Sequence, residues 1–341
     1  MDTRERYAAY ADRIAAASPS YAEWARSLDD DLVALLDEVP EQKRQPELLF
    51  AVVRRLGADP ADPGALRAIG LEARPAVVAA LASATVQAND PQRLAPVVPL
   101  FAALAARVGR PLGLVDAGAA AGLCSIPDRV TLDHVPLDSG AHTAGVRPER
   151  VRVHTAVAEP SVRLTAEVSG AVPSPSAAPI RIAARIALDP NPIDLAEPHA
   201  FDRLVEAVPP EATDRIALMR EAARATLAVP PVRLAGTVPG DLDRALDALP
   251  DGCEPVVLTT GTLVYVPGAD RQRFADRIRD RGVHWIALER TGILAGVAAT
   301  LPAAVDPTDP GAFATASLDG VAMAVSDPFG LRVRWLRDPN L

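Results

Sequence analysis

Leu112-Gly-Leu-Val-Asp-Ala-Gly-Ala-Ala-Ala-Gly-Leu123 is the stretch whose reading decides the fold. Leu112, Leu114 and Val115 make a short apolar run of the kind buried inside a parallel sheet. Asp116 stands where such a strand ends. Gly118 and Gly122 follow with only alanines between them, and residues 123–130 are expected to form a short helix. A strand feeding a glycine turn that opens a helix is a ready ligand site. Small residues let a ligand approach the backbone, and the first helical N–H groups face it unpaired. The dinucleotide fingerprint G-x-G-x-x-G is not present, because the spacing is Gly-x-x-x-Gly. Tight packing is the competing reading of the same small residues.

Upstream of this strand, residues 1–110 read as a helical cap. Ala and Leu recur at helical spacing over 7–17, 21–28, 32–36, 48–56, 76–87 and 94–108. Breaks fall at Ser18-Pro-Ser, at Val39-Pro and across the Pro/Gly/Asp-rich residues 57–64. A polar patch, Gln87-Ala-Asn-Asp90 followed by Arg93, interrupts the pattern. It is either a helix end with an Asn/Asp cap or a group reaching the glycine turn.

Downstream, residues 111–341 read as an α/β domain. Residues 131–184 carry alternating pieces (151–157 and 161–168) and a Pro/Ser/Ala loop at 171–179, which suggests a β-hairpin insertion before the second core strand. Strands at 185–188, 232–235, 255–260 and 284–288 then alternate with helices at 197–207, 211–228, 239–248 and 270–281. That alternation argues for a Rossmann-like, doubly wound and mostly parallel sheet. The tail ends in an antiparallel hairpin, 312–318 and 321–325 around Asp319-Gly320, and one further strand at 331–336.

Composition narrows the class of function. The net charge of −9 offers no basic excess to replace counterions, so nucleic acid is not an expected partner. Lys43 is the only lysine among 35 basic residues, which reads as the codon bias of a GC-rich genome. Two cysteines, Cys124 and Cys253, give neither a disulfide framework nor a zinc motif, and the five histidines have no metal-ligand spacing. No signal-like segment and no apolar run of about 18 residues appears, so no membrane association and a cytoplasmic location are the expectation.

Ligands of open parallel sheets sit at the carboxyl ends of the strands. Those ends carry Asp116, Gly118 and Gly122; Asp189; Gly236-Thr237; Thr259-Thr260-Gly261 with Tyr265 soon after; and Glu289. Asp189 is placed to accept hydrogen bonds from both hydroxyls of a ribose, or to cap a turn in Leu188-Asp-Pro-Asn-Pro192. Tyr265 is the candidate hydrogen-bond donor or base. Gln87, Asn89, Thr260 and Glu289 are the candidate contacts to a small-molecule substrate.

Asp116-x-Gly118-x-x-x-Gly122 resembles the first motif of class I S-adenosylmethionine-dependent methyltransferases, with Ala120 where the middle glycine usually stands. The resemblance implies S-adenosylmethionine as cofactor, held by Asp116, Gly118, Ala120, Gly122, Asp189 and Thr237. A wider likeness runs through Arg44-Gln-Pro-Glu-Leu-Leu-Phe50, Gln87-Ala-Asn-Asp90, the glycine turn, Leu188-Asp-Pro-Asn-Pro-Ile-Asp194, residues 257–267 and His284-Trp-Ile-Ala-Leu-Glu289. In that order they resemble one bacterial family of uncharacterised proteins with a domain of unknown function, usually judged methyltransferase-like. This chain departs from the pattern in three places. Cys124 stands where Asn is common, Thr237 where Asp is usual, and Thr260 where His is usual. Two expectations follow: a methyltransferase acting on a small molecule, or a non-catalytic ligand-binding protein that retains the fold. An enzyme using another nucleotide is disfavoured by the glycine spacing.

Overall fold

A computed structural model describes residues 2–84, 89–137, 150–175, 178–206 and 208–340. The chain divides into two compact units, one of residues 1–88 and 196–217, the other of residues 89–195 and 218–341. The helical unit therefore ends earlier than the expected boundary at 110, and it takes back a segment from the middle of the chain.

In the helical unit the apolar stripes of Thr3–Ile14, Pro19–Arg26 and Pro46–Arg55 meet around Phe50. Tyr7, Tyr10, Tyr21 and Trp24 surround that ring at centroid distances of 4.9–6.1 Å. Asp2 with Glu5, Ser18 and Asp29 cap three of the helices, answering N–H groups that have no partner inside a helix. Residues 196–217 are tied in by Arg54. Its guanidinium donates to the carbonyls of Glu206 and Val208 at 2.8 Å and to Tyr21 Oη at 2.6 Å. Glu211 accepts from Ser18 Oγ at 2.6 Å.

The second unit is built on one sheet of eleven strands: β1 (Leu112–Ala117), β2 (Val130–Pro136), β3 (Val151–His154), β4 (Val162–Gly170), β5 (Ile182–Asp189), β6 (Val232–Ala235), β7 (Glu254–Thr260), β8 (His284–Arg290), β9 (Ala314–Leu318), β10 (Val321–Ser326) and β11 (Arg332–Trp335). The order across the sheet is β3-β2-β4-β11-β10-β9-β8-β7-β1-β5-β6. Strands β6, β5, β1, β7 and β8 form one parallel block, with Val115 paired to Ile186 on one side and Val257 on the other. All six residues of β1 are buried, as expected of a central parallel strand. The expected hairpin is present. Asp319 and Gly320 take φ of 51° and 83°, the left-handed pair that an Asp-Gly turn supplies.

Residues 131–184 supply β3, β4 and most of β2, which join the far side of the sheet, and β2 and β3 pair antiparallel. There β2, β4 and β11 form a second parallel block, which the antiparallel pairs β8–β9, β9–β10 and β10–β11 set in the opposite direction. The sequence of that region shows only short alternating pieces, and alternation does not say which strand a piece will pair with. One expectation needs correction: the helix expected over 123–130 is not formed. Gly118, Ala120 and Gly122 all take positive φ (83°, 50° and 77°), and the chain leaves through turns and a 3-10 turn, Pro127–Arg129, directly into β2.

The sheet is strongly coiled. Eight strand steps separate β2 from β5, about 38 Å in a flat sheet at the usual spacing. Yet Asp128, two residues before β2, pairs with Arg185 of β5 at 2.5 Å, and both side chains are buried. The far block thus folds back toward the central one.

Candidate functional site

Within the parallel block of β6, β5, β1, β7 and β8 the order reverses between β1 and β7, with β5 and β6 on one side and β7 and β8 on the other. In open α/β sheets this switch point is where ligands bind. The glycine turn stands there, and most of its polar groups are already engaged. Gly118 N–H donates to the Leu188 carbonyl at 2.7 Å, Gly122 N–H to that of Ala119 at 2.7 Å, and Ala120 N–H to Asp189 Oδ2 at 2.9 Å. Leu123 N–H donates to Asn89 Oδ1 at 2.7 Å, and the Gly122 carbonyl accepts from Thr226 Oγ1 at 3.2 Å.

Gly118 needs to be glycine for two reasons. Its φ of 83° is left-handed, and a Cβ there would collide with Thr262, coming within 2.8 Å even of that residue's Cβ. Thr262 sits in the short segment after β7. Its Oγ1 donates to the Ala117 carbonyl at 2.8 Å, and its N–H donates to Glu289 Oε1 at 3.1 Å. The next N–H, of Leu263, donates to Glu289 Oε2 at 3.1 Å, and Leu263 is itself fully buried. On the other flank Arg93 Nη1 donates to the Thr260 carbonyl at 3.1 Å. Gly261, at φ 71°, leaves room for that guanidinium, which would lie 3.1 Å from a Cβ. Nothing in the sequence marks Thr262 among the chain's threonines; only the register of β7 and β8 places it over the turn.

Two carboxyl groups lie buried beside this turn. Asp116 accepts from Ser125 Oγ at 2.7 Å through Oδ2, while Oδ1 has no hydrogen-bond partner among the described residues. Burial pushes its carboxyl up to about 7; the Ser125 bond opposes the rise, and the charge of Asp189 adds to it. Burial likewise pushes Glu289 up to about 7, against the two N–H bonds from Thr262 and Leu263. Cys124 is buried in the same region, and its thiol is pushed up to about 12, so it is an inert packing group rather than a nucleophile.

The other sequence candidates fall in several settings. Asp189 has both oxygens on local backbone, Oδ2 on Ala120 N–H and Oδ1 on Asn191 N–H at 2.8 Å. Thr260 is buried at the end of β7. Thr237 is exposed on the loop after β6, its N–H bonded to Asp241 Oδ2 at 2.9 Å. Tyr265 is 70% exposed. Asn89 is buried against Leu123, while its neighbour Asp90 caps the 3-10 turn Pro91–Leu94. Gln87 lies outside the described residues. A Cβ on Gly122 would approach Pro231 Cγ and Ser125 Oγ to 3.2 Å, so the space beside this glycine is taken by protein.

The family of proteins described as "Uncharacterized protein conserved in bacteria (DUF2332)" matches residues 4–309. This chain belongs to that family. No curated protein and no solved structure matches it. The match spans the helical segments, the glycine turn and all of the parallel block, so the family includes both units.

Away from the turn, the far block buries polar groups of another kind. Register pairs Leu132 of β2 with His154 of β3, so His134 and His154 face the same side of the sheet. Both are buried with neither ring nitrogen hydrogen-bonded to any described residue, and His134 lies 6.3 Å from the Trp335 ring. Burial pushes His134 down to about 4, against the pull of Asp133, and lowers His154 against the pull of Asp128. Among the described residues no group of three or more His, Cys, Asp or Glu could hold a metal ion. Among them, too, no helix is long and apolar enough to cross a membrane.

Proposed function

We propose that this protein is a non-catalytic ligand-binding protein on a methyltransferase-like, Rossmann-like scaffold, in which the glycine turn serves as a structural joint. The observation that carries the reading is Thr262 seated over Gly118. S-adenosylmethionine, the cofactor implied by the motif resemblance, does not fit the turn in this arrangement. The backbone face it would approach is covered, Asp189 is committed to Ala120 and Asn191, and no helix N-terminus follows Gly122. Tyr265 supports the same reading, since a catalytic donor works in a dry, fixed setting and this one is largely exposed.

The second reading is a methyltransferase acting on a small molecule, with Asp116, Gly118, Ala120, Gly122, Asp189 and Thr237 toward the cofactor. Gln87, Asn89, Thr260 and Glu289 would then face the substrate. It is favoured by the position of the turn at the switch point. Calorimetric titration of the full chain with S-adenosylhomocysteine, S-adenosylmethionine and NAD separates the readings. No saturable heat is expected from any of the three at millimolar concentration. A micromolar Kd for S-adenosylhomocysteine would overturn the proposal and establish the cofactor.

A further inference from the structure

The segment 261–265 joins the end of β7 to the chain beyond it, and four contacts hold it over the glycine turn. Gly261 N–H donates to the Leu288 carbonyl at 2.8 Å; Thr262 Oγ1 donates to the Ala117 carbonyl; and the N–H groups of Thr262 and Leu263 both end on Glu289. Outward of these anchors Val264 is 45% and Tyr265 70% exposed, carried on a 3-10 turn, Leu263–Tyr265, whose Tyr265 N–H donates to the Thr262 carbonyl at 3.1 Å. The anchors are concentrated in one carboxylate. Glu289 is the last buried residue of β8, and each of its oxygens receives one of the two adjacent N–H groups.

We infer that residues 261–265 form a latch over the glycine turn, with Glu289 as its catch and Thr262 as its bolt, so that the segment and turn 118–123 open together. The inference rests on the reading of the turn as closed at rest, and adds that closure is a releasable state of one loop. The geometry gives the coupling a direct route. Thr262 Oγ1 bonds to Ala117 while its methyl and hydroxyl fill the space over Gly118, so lifting the segment removes both a hydrogen bond and a packing surface from the turn. The turn's own N–H groups reach β5 and Asn89, which stay in place, and these bonds should then open transiently rather than permanently.

Hydrogen exchange followed by mass spectrometry on the full chain, without ligand, tests this. Glu289→Gln leaves one acceptor oxygen where there were two, and Thr262→Val keeps the bulk but loses the hydroxyl. Each should speed exchange at least tenfold in peptides covering 118–123 as well as 261–265, with β9–β10 peptides unchanged. Thr262→Ser, which keeps the hydroxyl, should stay within about threefold of the parent. Faster exchange confined to 261–265, with 118–123 unchanged, would overturn the latch. Faster exchange everywhere would show general destabilisation and also overturn it. The titration with S-adenosylhomocysteine fails or succeeds independently, because this measurement contains no ligand.

Discussion

The central block and the far block of the sheet bury polar groups in opposite ways. Beside β1, β7 and β8, Asp116, Glu289 and Asn89 each accept hydrogen bonds from named partners, and the bonds fix a turn or a loop. On β2, β3 and β11, His134, His154 and the Trp335 indole nitrogen are buried without a hydrogen bond among the described residues. The first region uses burial to position backbone, as a specified polar network does. The second tolerates desolvated groups, each costing about 1–3 kcal/mol. The comparison separates buried groups whose bonds fix a turn or a loop from buried rings that only pack. The candidate site is built from the first kind, although Asp116 Oδ1 itself has no partner among the described residues.

The largest expected effect comes from cutting the link between the two regions. Arg185→Met removes the nearer of two cations from buried Asp128 and leaves Arg129 at 3.9 Å, and breaking such a pair costs up to about 3–5 kcal/mol. Urea denaturation should show that loss. A change below about 1 kcal/mol would mean that the coil of the sheet does not depend on this pair.

The next concerns the turn. Gly118→Ala places a methyl group against Thr262 at a left-handed φ, and strain with overpacking should cost about 2–4 kcal/mol. In the double variant with Thr262→Gly, about 1–2 kcal/mol should return, because the two residues are in contact. Strict additivity would show that Thr262 is not what fills the space. Gly122→Val tests the neighbouring position. With φ at 77° and Pro231 and Ser125 close by, it should destabilise the fold and so cannot serve as a clean probe of ligand binding.

The smallest effect is the most diagnostic, because the two regions respond to pH with opposite signs. Asp116 and Glu289 hold their protons in the folded state up to about 7, whereas in the unfolded chain they lose them near 4. Their contribution is complete below that value and is lost as pH rises toward 7. The histidines stay neutral when folded but take up protons near 6.5 when unfolded, so their contribution is complete above 6.5 and is lost as pH falls, for His134 toward about 4. In the parent the two trends offset each other between pH 4.5 and 6.5. Glu289→Gln should make stability rise more steeply with pH in that window. His134→Phe should make it fall, while adding about 1 kcal/mol at pH 5. Stability curves at pH 5, 6 and 7 for the two variants check both signs.

Much of the fold was legible. The apolar run 112–115, the alternation from 232 to 288 and the Asp319-Gly320 turn announce their strands through period, length and a required left-handed pair. What could not be read is pairing. Strands β2 and β4 look like any short alternating segments, and their place beyond β11 depends on contacts remote in sequence. The helix expected after Gly122 was suggested by the strand and glycine turn before it, but the chain runs on through turns to the 3-10 turn Pro127–Arg129, and Ala120 carries no mark of its left-handed conformation. At the site, the sequence picked out residues that lie at the carboxyl edge, yet it did not show what they touch. Asp189 looks the same whether it awaits a ribose or caps Ala120. Thr262 became visible only when the strands were set side by side.

The return of residues 196–217 to the helical unit also sets a timetable. During synthesis the six amino-terminal helices leave the ribosome some hundred residues before Glu206, Val208 and Glu211 are made, an interval on the order of ten seconds at usual elongation rates. Throughout it, the Arg54 guanidinium and the Ser18 hydroxyl lack the partners that residues 206–211 supply in the finished protein. A nascent chain stopped before residue 206 would therefore carry a helical unit in which Arg54 keeps Tyr21 but lacks the carbonyls of Glu206 and Val208. Completing that unit depends on the ribosome first having delivered five strands of the sheet.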